Sequence, residues 1–232
     1  MERGLQRVAP MRFVVGASLV AACVIACTSA SENADPVQQD GELREDAGRD
    51  GEAGDASTAG TFLDARDGKT YRTVTIGTQT WFAENLAYKT PSGSYCYDDD
   101  ERNCASDGRL YTFAVAKTAC PRGSHLGSDT EWKTLEAALG MKADQLDREG
   151  YETIRGTTEG TKAKARDGLA MKPAGYYGGG TFDARGDRTY LWTSTTRGSD
   201  VWRRRVVDAE PTIYRFTNPP GDFAISVRCL VD

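Results

Sequence analysis

The sequence predicts an α+β domain with an antiparallel sheet, two helices and long loops, preceded by a disordered linker. Three observations lead there. Residues 69–76 alternate, with Tyr71, Thr73 and Thr75 on one face and Val74 and Ile76 on the other, before a turn at Gly77 and the run Thr80-Trp81-Phe82. Two stretches of helical periodicity follow, both before Met141. Beyond Met141 the chain is rich in glycine and turn residues and carries only short β-prone runs.

Taken in order, residues 1–27 read as an export signal: Arg3, Arg7 and Arg12 precede an apolar run over 13–26, and polar Thr28, Ser29 and Ser31 follow. The run has 14 residues, short of the roughly 20 that a membrane span needs. Val24-Ile25-Ala26-Cys27 resembles the lipobox of bacterial lipoproteins. That resemblance implies cleavage before Cys27, acylation of this residue and a lipid tether to the membrane, with Thr28 in place of Asp pointing to the outer membrane. Cys23 matches the same pattern, but cleavage there would leave apolar Val24-Ile25-Ala26 beyond the site. A plain secretory signal or an uncleaved anchor is the alternative. Residues 28–60 hold nine acidic and two basic residues and no aromatic, too little apolar surface to offset the entropy of ordering. They read as a linker whose ends average about 30 Å apart or more.

The composition changes at Thr61. All four Trp, all ten Tyr and four of the six Cys lie in 61–232, which carries 24 basic and 24 acidic residues. Without a basic excess, a nucleic-acid partner is not expected. A single His without a Cys-x-x-Cys pair gives no usual zinc ligand set, and neither a Gly-x-Ser-x-Gly elbow nor a phosphate-binding Walker loop occurs. Within the domain, residues 109–119 space Leu110, Phe113, Ala114 and Lys117 at helical intervals, and Pro121 ends the run. Ser128 with Glu131 three residues on forms a capping box, Trp132, Leu135 and Leu139 share one face, and Gly140 supplies the C-terminal stop. Residues 156–189 read as a long surface excursion. Strands are expected over 190–194, 201–207, 212–216 and 224–231.

After processing at Cys27, the remaining Cys96, Cys104, Cys120 and Cys229 form an even set with three connectivities. The expected pairing is Cys96 with Cys104 and Cys120 with Cys229.

The run Asp64-Ala65-Arg66-Asp67-Gly68-Lys69-Thr70-Tyr71, then Thr73-Val74-Thr75-Ile76-Gly77-Thr78-Gln79-Thr80-Trp81-Phe82-Ala83-Glu84-Asn85-Leu86, resembles the opening of the Fibrobacter succinogenes major paralogous domain. Later pieces fit in order, among them Tyr95-Cys96-Tyr97-Asp98, Gly108-Arg109-Leu110-Tyr111-Thr112, Ala119-Cys120-Pro121, Leu191-Trp192-Thr193-Ser194-Thr195 and Ser226-Val227-Arg228-Cys229-Leu230. At Gly123-Ser124-His125-Leu126-Gly127 the chain departs from the family, which commonly has Trp before the His and Pro after the Leu. The resemblance implies a fold like those of C-type lectins and formylglycine-generating enzymes on an exported bacterial protein, and does not choose between binding and catalysis.

The candidate sites follow from residue chemistry. Trp192, Trp202, Tyr176 and Tyr177 form a candidate sugar-stacking platform, set against the reading that large aromatics are core. Asp98, Asp99, Asp100 and Glu101 offer hard oxygen ligands, which makes calcium a secondary candidate in a protein otherwise expected to need no cofactor. The lone His125 precedes a helix start, where it more commonly satisfies backbone groups than catalyses. In Trp202-Arg203-Arg204-Arg205, alternation sends Arg204 to one face and its neighbours to the other, and the arginines read as cover for a sheet edge. Arg185-Gly186-Asp187 spells an adhesion tripeptide too short to weigh. The sequence thus points to a lipid-anchored, non-enzymatic surface domain that binds a glycan or a surface protein. The alternatives are an enzyme of the formylglycine-generating type, which needs a reactive metal-binding cysteine pair, and a structural envelope protein.

Overall fold

The computed structural model describes residues 58–232; the export signal, Cys27 and all but the last three residues of the expected linker lie outside the described residues. Strand β1 (Thr58–Leu63) begins within the segment read as linker and pairs antiparallel with β2 (Thr70–Ile76), placing Phe62 opposite Tyr71. β2 turns at Gly77 into β3 (Gln79–Phe82). Gly77 sits at φ 59°, a left-handed value that a tight hairpin requires and glycine adopts at no steric cost. Next come β4 (Ser94–Tyr95), α1 (Glu101–Asp107), β5 (Leu110–Thr112), α2 (Phe113–Ala119), β6 (Ser124–Leu126), α3 (Asp129–Ala138) and α4 (Ala143–Leu146). The second half holds α5 (Glu159–Lys164), β7 (Ala174–Gly178), β8 (Thr181–Arg185), β9 (Arg188–Arg197), β10 (Asp200–Val207), β11 (Ile213–Asn218), β12 (Ala224–Ser226) and β13 (Cys229–Val231).

The strands form two sheets. One runs β1-β2-β3-β13-β6; the other runs β11-β10-β9-β7-β12-β5-β4, with β8 paired to β7. Pairing is antiparallel except at single contacts of β9 with β7 and β12. The apolar interior has two parts. Val74, Ile76, Trp81 and Leu191 pack with Trp132 and Leu135 of α3 and with Leu139 just after it; Tyr71, Phe82, Tyr111, Trp192 and Phe216 form the other part. The split follows the alternation read in residues 69–76.

Cys96 is joined to Cys104, and Cys120, at the end of α2, to Cys229 on β13. The second bond closes a separation of 109 residues, for which loop entropy alone gives about 4.7 kcal/mol. The capping box also forms: Ser128 Oγ accepts from the Glu131 amide, and the Ser128 amide donates to Glu131 Oε2 at 2.6 Å.

Four expectations are corrected. Residues 109–119 are not one helix: Leu110–Thr112 pairs as a strand with both β4 and β12, and the helix starts only at Phe113. Two-sided hydrogen bonding there outweighs a helical spacing that is too short to discriminate. Residues 156–189 are not a surface excursion, because they carry α5, β7 and β8 and bury Ala163, Leu169, Met171 and Ala174. The run 224–231 is two strands, one in each sheet. Arg203, Arg204 and Arg205 do not cover a sheet edge, since β10 is flanked by β9 and β11 and all three side chains are buried.

Between α3 and this sheet lies a buried charge network. Glu136 accepts from Arg155 at 2.7 Å and from Arg204 at 2.5 Å. Asp129 accepts from Arg204 at 2.8 Å and from Arg215 at 2.7 and 2.9 Å. Burial pushes the Asp129 carboxyl upward, but the two guanidiniums outweigh it and hold the group below the usual range. Removing one member of such a network leaves an uncompensated buried charge. Glu136→Ala is therefore expected to lose about 3–5 kcal/mol of stability in urea denaturation, and a loss under about 1 kcal/mol would show that α3 does not depend on it.

Candidate functional site

The second sheet builds the site from cross-strand rows. On β10, Arg203 sits opposite Trp192 of β9 and Phe216 of β11, and Arg205 sits opposite Tyr190 and Tyr214. Each row is aromatic, arginine, aromatic. The Arg203 guanidinium lies 4.3 Å from the Trp192 ring centre, and that of Arg205 lies 4.1 Å from Tyr214 and 4.0 Å from Tyr151. On the opposite face Arg204 sits beside Leu191 and Arg215 and joins the charge network.

Above the rows is a cavity of 160 Å³. Its walls are Tyr151, Tyr176, Tyr190, Phe216, Phe223 and Ile225, and its polar lining is Arg203 and Asn218. Tyr176 meets Tyr190 edge-on at 5.4 Å, and the Tyr151 and Tyr190 hydroxyl oxygens are 2.5 Å apart. Burial pushes the Tyr190 phenol up to about 12. Burial also opposes ionisation of Tyr151, but its hydrogen bonds to Tyr190 and Arg205 bring it below its ordinary value. Arg203 is pulled down to about 10 by burial. The same three tyrosines border a polar groove lined by Asp183, Arg185, Asp187 and Arg188.

Of the four aromatics expected to form a platform, the structure brings only Tyr176 to this cavity. Trp192 is fully buried, and its indole N–H donates to the Tyr111 carbonyl at 2.7 Å. Trp202 is buried beneath Arg215, whose guanidinium lies 3.5 Å from its ring centre. The two point to opposite sides of one sheet, because their strands place them on alternate faces. Tyr177 turns away from Tyr176 and stacks on Tyr95 at 4.7 Å. Tyr151, Tyr190, Phe216 and Phe223 are not singled out from the sequence, and Arg203 is read there only as cover for a sheet edge. The alternation in Tyr190–Trp192, Arg203–Arg205 and Tyr214–Phe216 was the available signal, and it needed strand order to be read.

The acidic loop does not gather a cation site. Asp98 and Asp99 take left-handed φ of 55° and 54°, Asp100 caps α1 and binds Arg102, and Glu101 pairs with Arg109 at 2.6 Å. Among the described residues, the one cluster of ligand-type atoms is Cys96, Glu101 and Cys104, and its two sulfurs are bonded to each other. In the adhesion-like tripeptide, Arg185 pairs with Asp107 and Asp187 with Arg188.

Residues 74–230 match the family described as the Fibrobacter succinogenes major domain. The chain belongs to that family. No curated protein and no solved structure matches it. In this major domain, the segment Gly123–Gly127, where the chain departs from the family, carries His125 on β6 between two carboxylates, with Nδ1 2.6 Å from Asp232 and Nε2 3.0 Å from Glu131. Burial lowers the imidazole, but Asp232 and Glu131 outweigh it and raise the group above its ordinary value. A raised folded-state value contributes stability fully below the unfolded value of 6.5 and loses it as pH rises through the folded value. Because the ring is partly exposed, the effect stays under about 1 kcal/mol. His125→Gln is expected to destabilise the domain at pH 5.5 and to match the parent above about pH 8; a pH-independent difference would show that the ion pairs contribute nothing.

Proposed function

We propose that the chain is an exported, lipid-anchored envelope protein whose Fibrobacter succinogenes major domain binds a glycan without catalysing a reaction on it. One observation carries the reading: the cavity walled by Tyr151, Tyr176, Tyr190, Phe216 and Phe223, continuous through its tyrosines with a groove of Asp and Arg side chains. Aromatic faces stack on the C–H faces of sugar rings, while carboxylates and guanidiniums hydrogen-bond hydroxyls in fixed directions. At 160 Å³ the cavity falls below the roughly 300–1,000 Å³ usual for drug-sized ligands, so it suits one ring of a chain whose remainder lies along the groove.

The C-type-lectin-like fold belongs to the same proposal, and the two-sheet α+β architecture agrees with it. An enzyme of the formylglycine-generating type is disfavoured because Cys96, Cys104, Cys120 and Cys229 are all bonded in pairs. The lipid tether at Cys27 rests on the lipobox resemblance; two acyl chains make such anchoring stable where one holds only marginally.

Two measurements test the reading. On a glycan array probed with the full chain, binding is expected to fall at least about tenfold in Tyr176→Ala, the equivalent of about 1.4 kcal/mol, with thermal stability little changed. A domain that captures no glycan, or captures one equally well without Tyr176, removes the cavity from the account. Fatty-acid labelling in the native cell is expected to mark the chain and the label to be lost in Cys27→Ser, and a parent chain that takes up no label would exclude this anchor.

A further inference from the structure

We propose that the sugar seated in the aromatic cavity is acidic, a uronic acid or a related carboxylate-bearing ring, and that Arg203 receives its carboxylate. This rests on the glycan reading of the same cavity and adds the charge of the ligand.

The argument starts from an imbalance. Arg203 is only 4% exposed, and among the described residues no carboxylate lies within ion-pair distance of it; Asp200 attracts it only from farther away. The other arginines around it are matched. Arg155, Arg204 and Arg215 share Asp129 and Glu136; Arg205 has Glu152, Arg188 has Asp187 and Arg185 has Asp107. Arg203 has instead two backbone carbonyls, Pro219 at 2.6 Å and Asn218 at 3.4 Å, and the faces of Trp192 and Phe223. Its Nε is buried without a hydrogen-bond partner. Carbonyls and rings offset part of the desolvation of a guanidinium but bring no opposite charge.

The group borders the cavity and has donor capacity left over. A carboxylate fits that geometry because a guanidinium offers parallel N–H donors to both of its oxygens. The walls then hold the rest of the ring: Tyr176, Tyr190, Phe216 and Phe223 supply apolar faces and no second charge. A neutral sugar would fill the same space and leave Arg203 unmatched. Arg228, a second buried arginine with no carboxylate partner, differs in kind. Its Nε is also unpaired, but three acceptors, the carbonyls of Phe82 and Leu169 and the side-chain oxygen of Asn85, hold its other nitrogens, and the pocket it borders already contains the carboxylates of Glu84 and Asp107.

The test compares ligands on an unaltered protein. Titration calorimetry of the full chain with galacturonic-acid and glucuronic-acid oligomers, and with the same oligomers after carboxyl reduction, is expected to show the acidic forms binding about 10- to 100-fold more tightly. Arg203→Met is expected to bring the affinity for the acidic oligomer down to that for the reduced one. Its melting temperature should hold or rise, because a buried unmatched charge has been removed. Equal affinities for acidic and reduced oligomers would overturn the acidic assignment and leave the glycan reading standing. Undiminished uronate binding in Arg203→Met would overturn the role of Arg203. Failure of every oligomer, acidic and neutral, would overturn both readings together.

Discussion

Three consecutive arginines in the middle of a sheet impose the strongest constraint on this fold. β10 is an interior strand, so the pleat sends Arg204 to one side and Arg203 and Arg205 to the other, and none of them reaches bulk water. Each side must then supply what water would have supplied. On the Arg204 side the answer is charge: Asp129 and Glu136, seven residues apart on α3, lie on one helical face and reach Arg204 together. On the other side the answer is mostly aromatic surface, arranged as two parallel cross-strand rows. Lysine would not serve equally, because a planar guanidinium stacks on rings and forks onto carboxylates where an ammonium does neither well.

The position of α3 follows from the same requirement. The capping box fixes where the helix begins, and that start sets the heights of Asp129 and Glu136 over the sheet. Trp132, Leu135 and Leu139 then seal the apolar layer around the charges. Local helix chemistry and a long-range electrostatic match thereby agree, the consistency between levels expected of a sequence that specifies one structure.

Part of this was legible in the residues. The β2–β3 hairpin follows from alternation and a glycine turn and α3 from its cap, while the even set of cysteines allowed three connectivities, of which the expected one forms. What was not legible depended on neighbours far away in sequence. Leu110–Thr112 is a strand because β4 and β12 flank it, and residues 224–231 divide because two sheets compete for them. The site suffered most. Trp192 and Trp202 look alike in sequence as large aromatics near arginines, yet one packs on the aromatic side and the other under the charge network. Only strand order decides which ring is core and which lines a cavity. Membership in the Fibrobacter succinogenes major domain family gives the scaffold, and the particular side chains above it carry the chemistry.

The placement of β13 has a consequence for how the molecule is made. This strand lies between β3 and β6, although about 150 residues separate it from β3 in the chain. During synthesis β3 and β6 can have no shared partner until residues 229–231 emerge, and Cys120 waits for the same segment. This sheet is therefore completed only when distant parts of the chain meet, the kind of long-range pairing that slows folding. Until that closure, the nascent polypeptide exposes two unfinished strand edges to whatever surrounds it.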